Sequence, residues 1–173
     1  KTIAQDWSWD WAEDSFVIGY DSWTDAIHAD LLNNVYCRSS YGPNIHFPDT
    51  SFLHPEQYDQ NANYAISKYD FRGNFIKALD LYTIPNGNIH YVSLVTESLL
   101  NIYLCAPFNY KVNLCDTFIS PAENLNPFCL DVFLAKLSPD FEFLWGSLIT
   151  TNSQDESKEM LISDDGFLYI MCD

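Results

Sequence analysis

The side chains best suited to ligand binding fall in two long segments between predicted strands, residues 41–62 and 108–129. Imidazoles and aromatic rings there could donate hydrogen bonds and stack on a sugar or a peptide, and loops on a rigid scaffold commonly carry such contacts. The candidate ligand residues are His46, Phe47, His54, Tyr58, Tyr110 and Phe118. We therefore predict the binding site in these two segments.

Paired carboxylates offer a second kind of chemistry. Asp155-Glu156 and Asp164-Asp165 could supply the acid and the base or nucleophile of glycoside hydrolysis. Both pairs lie at predicted turns, where acidic side chains are common for structural reasons. The chain also lacks Gly-x-Ser-x-Gly, His-Glu-x-x-His and a phosphate-binding glycine loop. We assign no catalytic residue, and an extracellular carbohydrate-active hydrolase stays open as the alternative to a binding protein.

Carboxylates interleave with Trp7, Trp9 and Trp11 near the N-terminus. This pattern fits a sugar platform, a calcium site or a strand with one buried face. Calcium takes about six to eight oxygen ligands, and the segment lacks the glycine of known calcium loops. Alternate residues of a strand point to one face, so the tryptophans favour core packing. We assign no metal and no cofactor, with Ca²⁺ left as an alternative.

The chain has five cysteines, an odd number. No two of them form a Cys-x-x-Cys motif, so a zinc or redox site is not expected. Cys115 and Cys129 flank a loop-like stretch that a disulfide between them could close. The alternative is that both are small buried apolar side chains.

Charge and hydropathy exclude some partners. The chain has 24 acidic and 8 basic side chains, a net charge of −16, which disfavours nucleic acid and anionic membranes. Cations, basic proteins and neutral sugars remain as partners. No apolar run approaches the ~20 residues that span a bilayer. Ile3-Ala4-Gln5 is similar to the end of a bacterial secretory signal, so we expect a secreted or cell-surface protein.

The elements that must position these residues repeat along the chain. A triplet of Asn or Phe, an aliphatic residue and Tyr occurs three times, ending at Tyr36, Tyr103 and Tyr169, with spacings of 67 and 66 residues. A second repeated segment contains Lys68 and Lys136, which are 68 residues apart. Each segment alternates apolar and polar residues between turn residues, which predicts strands. The predicted strands lie near 24–31, 34–40, 63–70, 74–82, 90–97, 101–107, 130–138 and 142–150.

Four antiparallel strands repeated along a chain predict the blades of a β-propeller. We expect an all-β chain forming a single propeller over residues 1–173, with about two full blades and parts of two others. The predicted repeats are 24–84, 88–151 and, in part, 157–173, with 6–20 as a closing fourth strand. Because a fourth strand comes first and the third repeat is partial, we expect the N-terminal part of a longer propeller. Its other blades would come from the same chain or from self-association.

The repeated motifs resemble those of secreted bacterial β-propeller repeats, the SBBP type found in Bacteroidetes. The resemblance rests on Asn34-Val35-Tyr36 and Asn101-Ile102-Tyr103, then on Lys68 with Gly73-Asn74, and on Lys136 with Trp145. Asn33 and Leu100 stand where such repeats usually carry glycine. The resemblance implies a secreted binding scaffold, with a protein or glycan ligand.

Overall fold

The computed structural model describes residues 23–54, 63–84, 87–121, 130–150 and 157–172, which form strands and turns and no helix. The first six strands are β1 (Trp23–Ala29), β2 (Val35–Tyr41), β3 (Asn44–His46), β4 (Ser51–Leu53), β5 (Asn63–Tyr69) and β6 (Phe75–Ile84). The next six are β7 (Ser93–Thr96), β8 (Ile102–Phe108), β9 (Lys111–Leu114), β10 (Thr117–Ile119), β11 (Asp131–Leu137) and β12 (Phe143–Ile149). The last two are β13 (Ser157–Ile162) and β14 (Leu168–Cys172).

The strands form two antiparallel meanders of the same design. Sheet 1 has the order β1-β2-β5-β6, extended by β9 and β10, and sheet 2 has the order β7-β8-β11-β12. Strands β13 and β14 form a third pair, and β3 and β4 form a separate hairpin. The prediction of an all-β chain of antiparallel sheets is confirmed. The described residues close no ring, so their arrangement as propeller blades remains a proposal.

The two segments predicted as long loops each contain a short hairpin. Strands β3 and β4 lie in the first segment, and β9 and β10 lie in the second, 67 and 66 residues further along the chain. Strand β9 pairs with residues 81–84 of β6, so that a hairpin from the second repeat extends sheet 1 along that part of its edge. Strand β7 is shorter than predicted and begins at Ser93, because Tyr91 just before it has a φ of 42° that interrupts an extended chain.

One turn type joins the strands of all three units. In each turn the N–H of the fourth residue donates to the carbonyl of the first, and the first N–H donates to the carbonyl of the fifth. The fourth residue has a φ between 61° and 86°, the left-handed residue of a type I turn with a bulge. These left-handed residues are Asn33, Gly73, Leu100, Phe141 and Gly166.

The repeated acid, Asn and Tyr residues stabilise these turns. Asp30 accepts hydrogen bonds from the Asn34 side chain at 2.8 Å, from the Asn34 and Leu32 N–H groups, and from the Tyr36 hydroxyl at 3.1 Å. Burial alone would raise the pKa of Asp30, but these hydrogen bonds to the carboxylate hold it below its usual value. In sheet 2 the Glu97 carboxylate takes the same place.

The three units stack face to face in chain order. Ile66 and Leu81 of sheet 1 share one core with Leu104, Phe133 and Leu137 of sheet 2. The opposite face of sheet 2 packs against β13 and β14 around the buried Met160. The other face of sheet 1 packs on the β3–β4 hairpin.

The first strands of the three units lie side by side. His28 Nε2 on β1 is 2.9 Å from Thr96 Oγ1 at the end of β7. The Met160 N–H on β13 donates to Ser93 Oγ on β7 at 3.1 Å. Successive sheets are therefore linked along one common edge as well as through their faces.

Candidate ligand groove between the two sheets

A groove of about 930 Å³ opens where sheet 1 meets the second repeat. Its walls are residues 51–54 and 77–80 with Tyr82 from the first repeat, and Asn113, residues 115–117 and residues 140–143 from the second. Both insertion hairpins, strand β6 and the turn between β11 and β12 contribute to its lining. The volume lies in the range of small-molecule and peptide sites.

Tyr41, Asp80 and His54 form a hydrogen-bonded chain in one wall. The Tyr41 hydroxyl donates to Asp80 Oδ1, and His54 Nε2 lies 2.8 Å from Asp80 Oδ2. The His54 ring also lies 4.1 Å from the Tyr82 ring, between centroids. Burial, followed by the charge of Asp80, raises the pKa of Tyr41, which therefore stays a neutral donor. This chain anchors the end of the β3–β4 hairpin to β6.

Contacts across the opposite wall join the two repeats. Lys77 Nζ donates to the Asp140 carbonyl and lies 5.6 Å from the centre of the Phe141 ring. Within the second repeat, Cys115 Sγ donates to the Phe141 carbonyl at 2.9 Å. Phe141 is a bulky residue held at a φ of 61°, and its ring packs edge-on against Tyr36. A turn of the second repeat is thus fixed on the face of the first.

The lining of the groove combines acidic and aromatic side chains. It holds four carboxylates, Asp80, Asp116, Asp140 and Glu142, against one lysine, Lys77. Asp116, Asp140 and Glu142 are exposed to solvent, whereas both oxygens of Asp80 already accept hydrogen bonds. The aromatic residues of the lining are Phe52, Tyr82, Phe141 and Phe143. Such a surface attracts cationic groups and offers rings for their apolar stems to contact.

Of the predicted ligand residues, the groove contains His54. His46 lies on β3 with Nδ1 2.7 Å from Ser51 Oγ, and Phe47 is buried between Phe52 and Phe75. Tyr110 packs on Gly87, where an added Cβ would come within 2.5 Å of the tyrosine.

The remaining candidates lie elsewhere. Phe118 is exposed on β10 under the Lys111 ammonium, 4.5 Å from the ring centre. Tyr58 lies outside the described residues. A ligand role for these side chains stays a prediction, and the groove carboxylates were not among the predicted contacts.

The other proposed sites are spread over the chain. Asp164 and Asp165 are exposed in the turn between β13 and β14 and line no part of the groove, while Asp155-Glu156 and the tryptophans at 7–11 lie outside the described residues. Within the described ranges, no cluster of three His, Cys, Asp or Glu side chains is arranged to hold a metal ion.

Cys115 carries a thiol in the structure, and burial followed by the charge of Asp116 raises its pKa to about 11. Cys129 lies outside the described residues, so the disulfide stays a prediction. The part of the chain that the structure describes contains no helix long and apolar enough to cross a membrane.

No family model, curated protein or solved structure matches this chain. The interpretation of the groove therefore rests on the chain's own repeats and geometry.

Proposed function

We propose that this chain forms consecutive blades of a secreted β-propeller that binds a basic segment of an extracellular partner in the groove between two blades. Three features support the blade arrangement. Each full unit is a four-stranded antiparallel meander, the units stack face to face, and their first strands lie side by side. Repetition of such sheets about an axis is the design of a propeller.

The observation that carries the binding proposal is the acidic, aromatic-lined groove at the seam. Three exposed carboxylates and four aromatic rings line it, together with residues of the hairpins from both repeats. A lysine or arginine side chain has a matching form, since its charged head can meet the carboxylates while its aliphatic stem lies on the rings. The net charge of −16 would also increase the rate of encounter with a basic partner.

A binding panel of basic peptides, neutral peptides and glycans tests this function. We expect binding of the basic peptides, weakened by salt because exposed charges are screened. The double variant Asp116→Asn with Glu142→Gln should lower the affinity about tenfold, as loss of favourable charge pairs does. The matched control is Asp164→Asn with Asp165→Asn, which removes two negative charges outside the groove.

Equal losses in the two double variants would show that only the overall charge matters and would contradict the groove. Binding of glycans without binding of basic peptides would contradict the proposed ligand class.

The hydrolase alternative draws on one contact, the pairing of His54 with Asp80 in the groove. Asp80 accepts from Tyr41 on its other oxygen, so the carboxylate is placed to orient His54 rather than to attack a substrate. Turnover of a polysaccharide panel that is abolished by His54→Gln would favour the hydrolase over the binding module.

A further inference from the structure

Lys77 departs from the design that the two sheets share. On β6 it lies directly opposite Lys68 of β5. The residues at the equivalent places in sheet 2 are Lys136 and Trp145, which lie opposite each other in the same way. Like charges on opposite residues of neighbouring strands repel. Burial lowers the pKa of Lys68, and the charge of Lys77 lowers it further. The strand pairing therefore disfavours a lysine at position 77, whereas the groove offers it favourable contacts.

The two lysines hold the same turn of the second repeat in different surroundings. Lys68 is buried, and its Nζ donates to the Pro139 carbonyl at 2.9 Å. Lys77 Nζ donates to the carbonyl of the next residue, Asp140, at a place exposed to solvent. A hydrogen bond in contact with water exchanges for one to water at little net cost. The Lys77 ammonium can therefore move into solvent while Lys68 keeps the turn in place.

The place that the Lys77 ammonium fills has the features of a site for a cation. It combines the Asp140 carbonyl, which accepts its hydrogen bond, with the Phe141 ring, whose centre is 5.6 Å away. Burial raises the pKa of Cys115 to about 11, the charge of Asp116 adds to the rise and the charge of Lys77 opposes it. Cys115 also donates to the Phe141 carbonyl. The Asp116 carboxylate and the Lys77 ammonium therefore both lie near this end of the groove.

We propose that the groove binds a lysine side chain of its partner at the place that Lys77 now fills, and that the partner's lysine displaces Lys77 from it. We call this place, formed by the Asp140 carbonyl, the Phe141 ring and the Asp116 carboxylate, the cation subsite. The cation subsite rests on the proposed function of the groove and specifies the partner's contact within it. The incoming ammonium takes over the hydrogen bond to the carbonyl, and its aliphatic stem lies on the ring.

The chemistry of the cation subsite favours lysine over arginine. A single carbonyl oxygen suits the compact ammonium of lysine, which has three rotatable donors. The guanidinium of arginine is a planar fork that a bidentate acceptor matches best. The side chain that fills the place within this chain is itself a lysine.

Replacement of Lys77 by methionine tests the cation subsite, because methionine keeps an apolar stem without the charge. In the full chain, Lys77→Met should bind a capped peptide of alternating glycine and lysine about fivefold more tightly than the parent does. The gain has the size of one exposed charge pair, since the peptide no longer competes with an internal ammonium. Isothermal titration calorimetry at low salt measures the affinities. A variant that folded poorly would lose affinity rather than gain it.

Three comparisons separate competition at the cation subsite from overall charge. Lys111→Met removes an ammonium that also lies over a phenylalanine ring, that of Phe118, but lines no part of the groove. This variant should change the affinity little. Lys77→Arg keeps a cation at the same position and should bind nearly as the parent does. A peptide of alternating glycine and arginine should gain less from Lys77→Met than the lysine peptide gains.

The outcomes distinguish failure of the cation subsite from failure of the groove. Absence of lysine-peptide binding by both the parent and Lys77→Met would overturn the proposed function and the cation subsite together. Binding by the parent that Lys77→Met leaves unchanged or weakens would overturn the cation subsite alone. Equal gains in Lys77→Met and Lys111→Met, or equal gains for the lysine and arginine peptides, would also overturn it.

Discussion

Sheets 1 and 2 have the same four-stranded order, yet their outer halves differ in burial. The outer strand of sheet 1, β6, pairs with β9, and Leu81 near its end is fully buried. The outer strand of sheet 2, β12, pairs with β11 alone among the described residues and has mostly exposed side chains. The covering strands of sheet 1 come from the following repeat. Each repeat therefore supplies burial to its predecessor, as expected of an architecture in which neighbouring repeats share interfaces.

The largest predicted effect follows from this difference in burial. Leu81→Ala should lower the free energy of unfolding by about 2–5 kcal/mol, because it empties a closed core position. Ile149→Ala, at the equivalent half-buried position, should lower it by about 1–2 kcal/mol, because less apolar surface is removed from water on folding there. Urea denaturation of both variants measures the two values. Equal losses would contradict the difference between the sheets.

A smaller effect concerns the acid in the first turn. The pKa of Asp30 is lower in the folded chain than in the unfolded one, so its carboxylate stabilises the fold above the unfolded pKa of about 4. That contribution is lost as the pH falls through the folded value. Asp30→Asn should therefore reduce stability at pH 7 and flatten the loss of stability between about pH 5 and pH 2.

The matching turn of the third unit provides the control for this pH dependence. Ser163 occupies the place of Asp30 and bonds the Phe167 N–H through its hydroxyl, which does not titrate in this range. Ser163→Ala should leave the slope of stability against pH as in the parent chain. The same slope in Asp30→Asn as in the parent would show that other carboxylates control the acid transition.

The smallest effect concerns the left-handed turn residues. Gly166 has a φ of 86° and no atom near an added Cβ, so Gly166→Leu should cost about 1–2 kcal/mol through backbone strain alone. Leu100 has a φ of 66° at the equivalent place in sheet 2, and Leu100→Gly should stabilise by a few tenths to about 1 kcal/mol. Thermal unfolding measures both changes. If Leu100→Gly lowered the stability instead, the leucine side chain at 100 would contribute more through packing than it costs in strain.

The strands could be predicted from sequence because their signal is local. Alternation around Ala65 and Ala135 and the recurrence of Tyr36 and Tyr103 give both the strand positions and the period. The hairpins β3–β4 and β9–β10 could not be predicted, because strands of three or four residues do not show a period. Gly73 and Gly166 are the usual signal for a tight turn, but the same turn was hidden at Leu100 and Phe141, which occupy the glycine position.

The groove was less predictable than the fold. His54 was named because histidines on insertions are natural ligand candidates. Asp80 lies within a strand and Glu142 within a turn, and nothing local to either indicates that β6 and the turn after β11 come together. That proximity arises from the stacking of the two sheets, and no short stretch of the sequence carries a signal for it. Phe47 shows the opposite case, an aromatic residue on an insertion that the structure places in a core.

Strand β9 lies in the second repeat but hydrogen-bonds to β6 of the first. During synthesis at the ribosome, strands β1, β2, β5 and β6 can pair as soon as residue 84 has emerged. The end of β6 that pairs with β9 stays unpaired until about thirty more residues follow. The natural unit for truncation or for grafting therefore ends after β10, near residue 120, and not at the repeat boundary near residue 87. A piece cut at that boundary would leave residues 81–84 of β6 unpaired and open to aggregation, whereas one that keeps β9 and β10 would keep them paired.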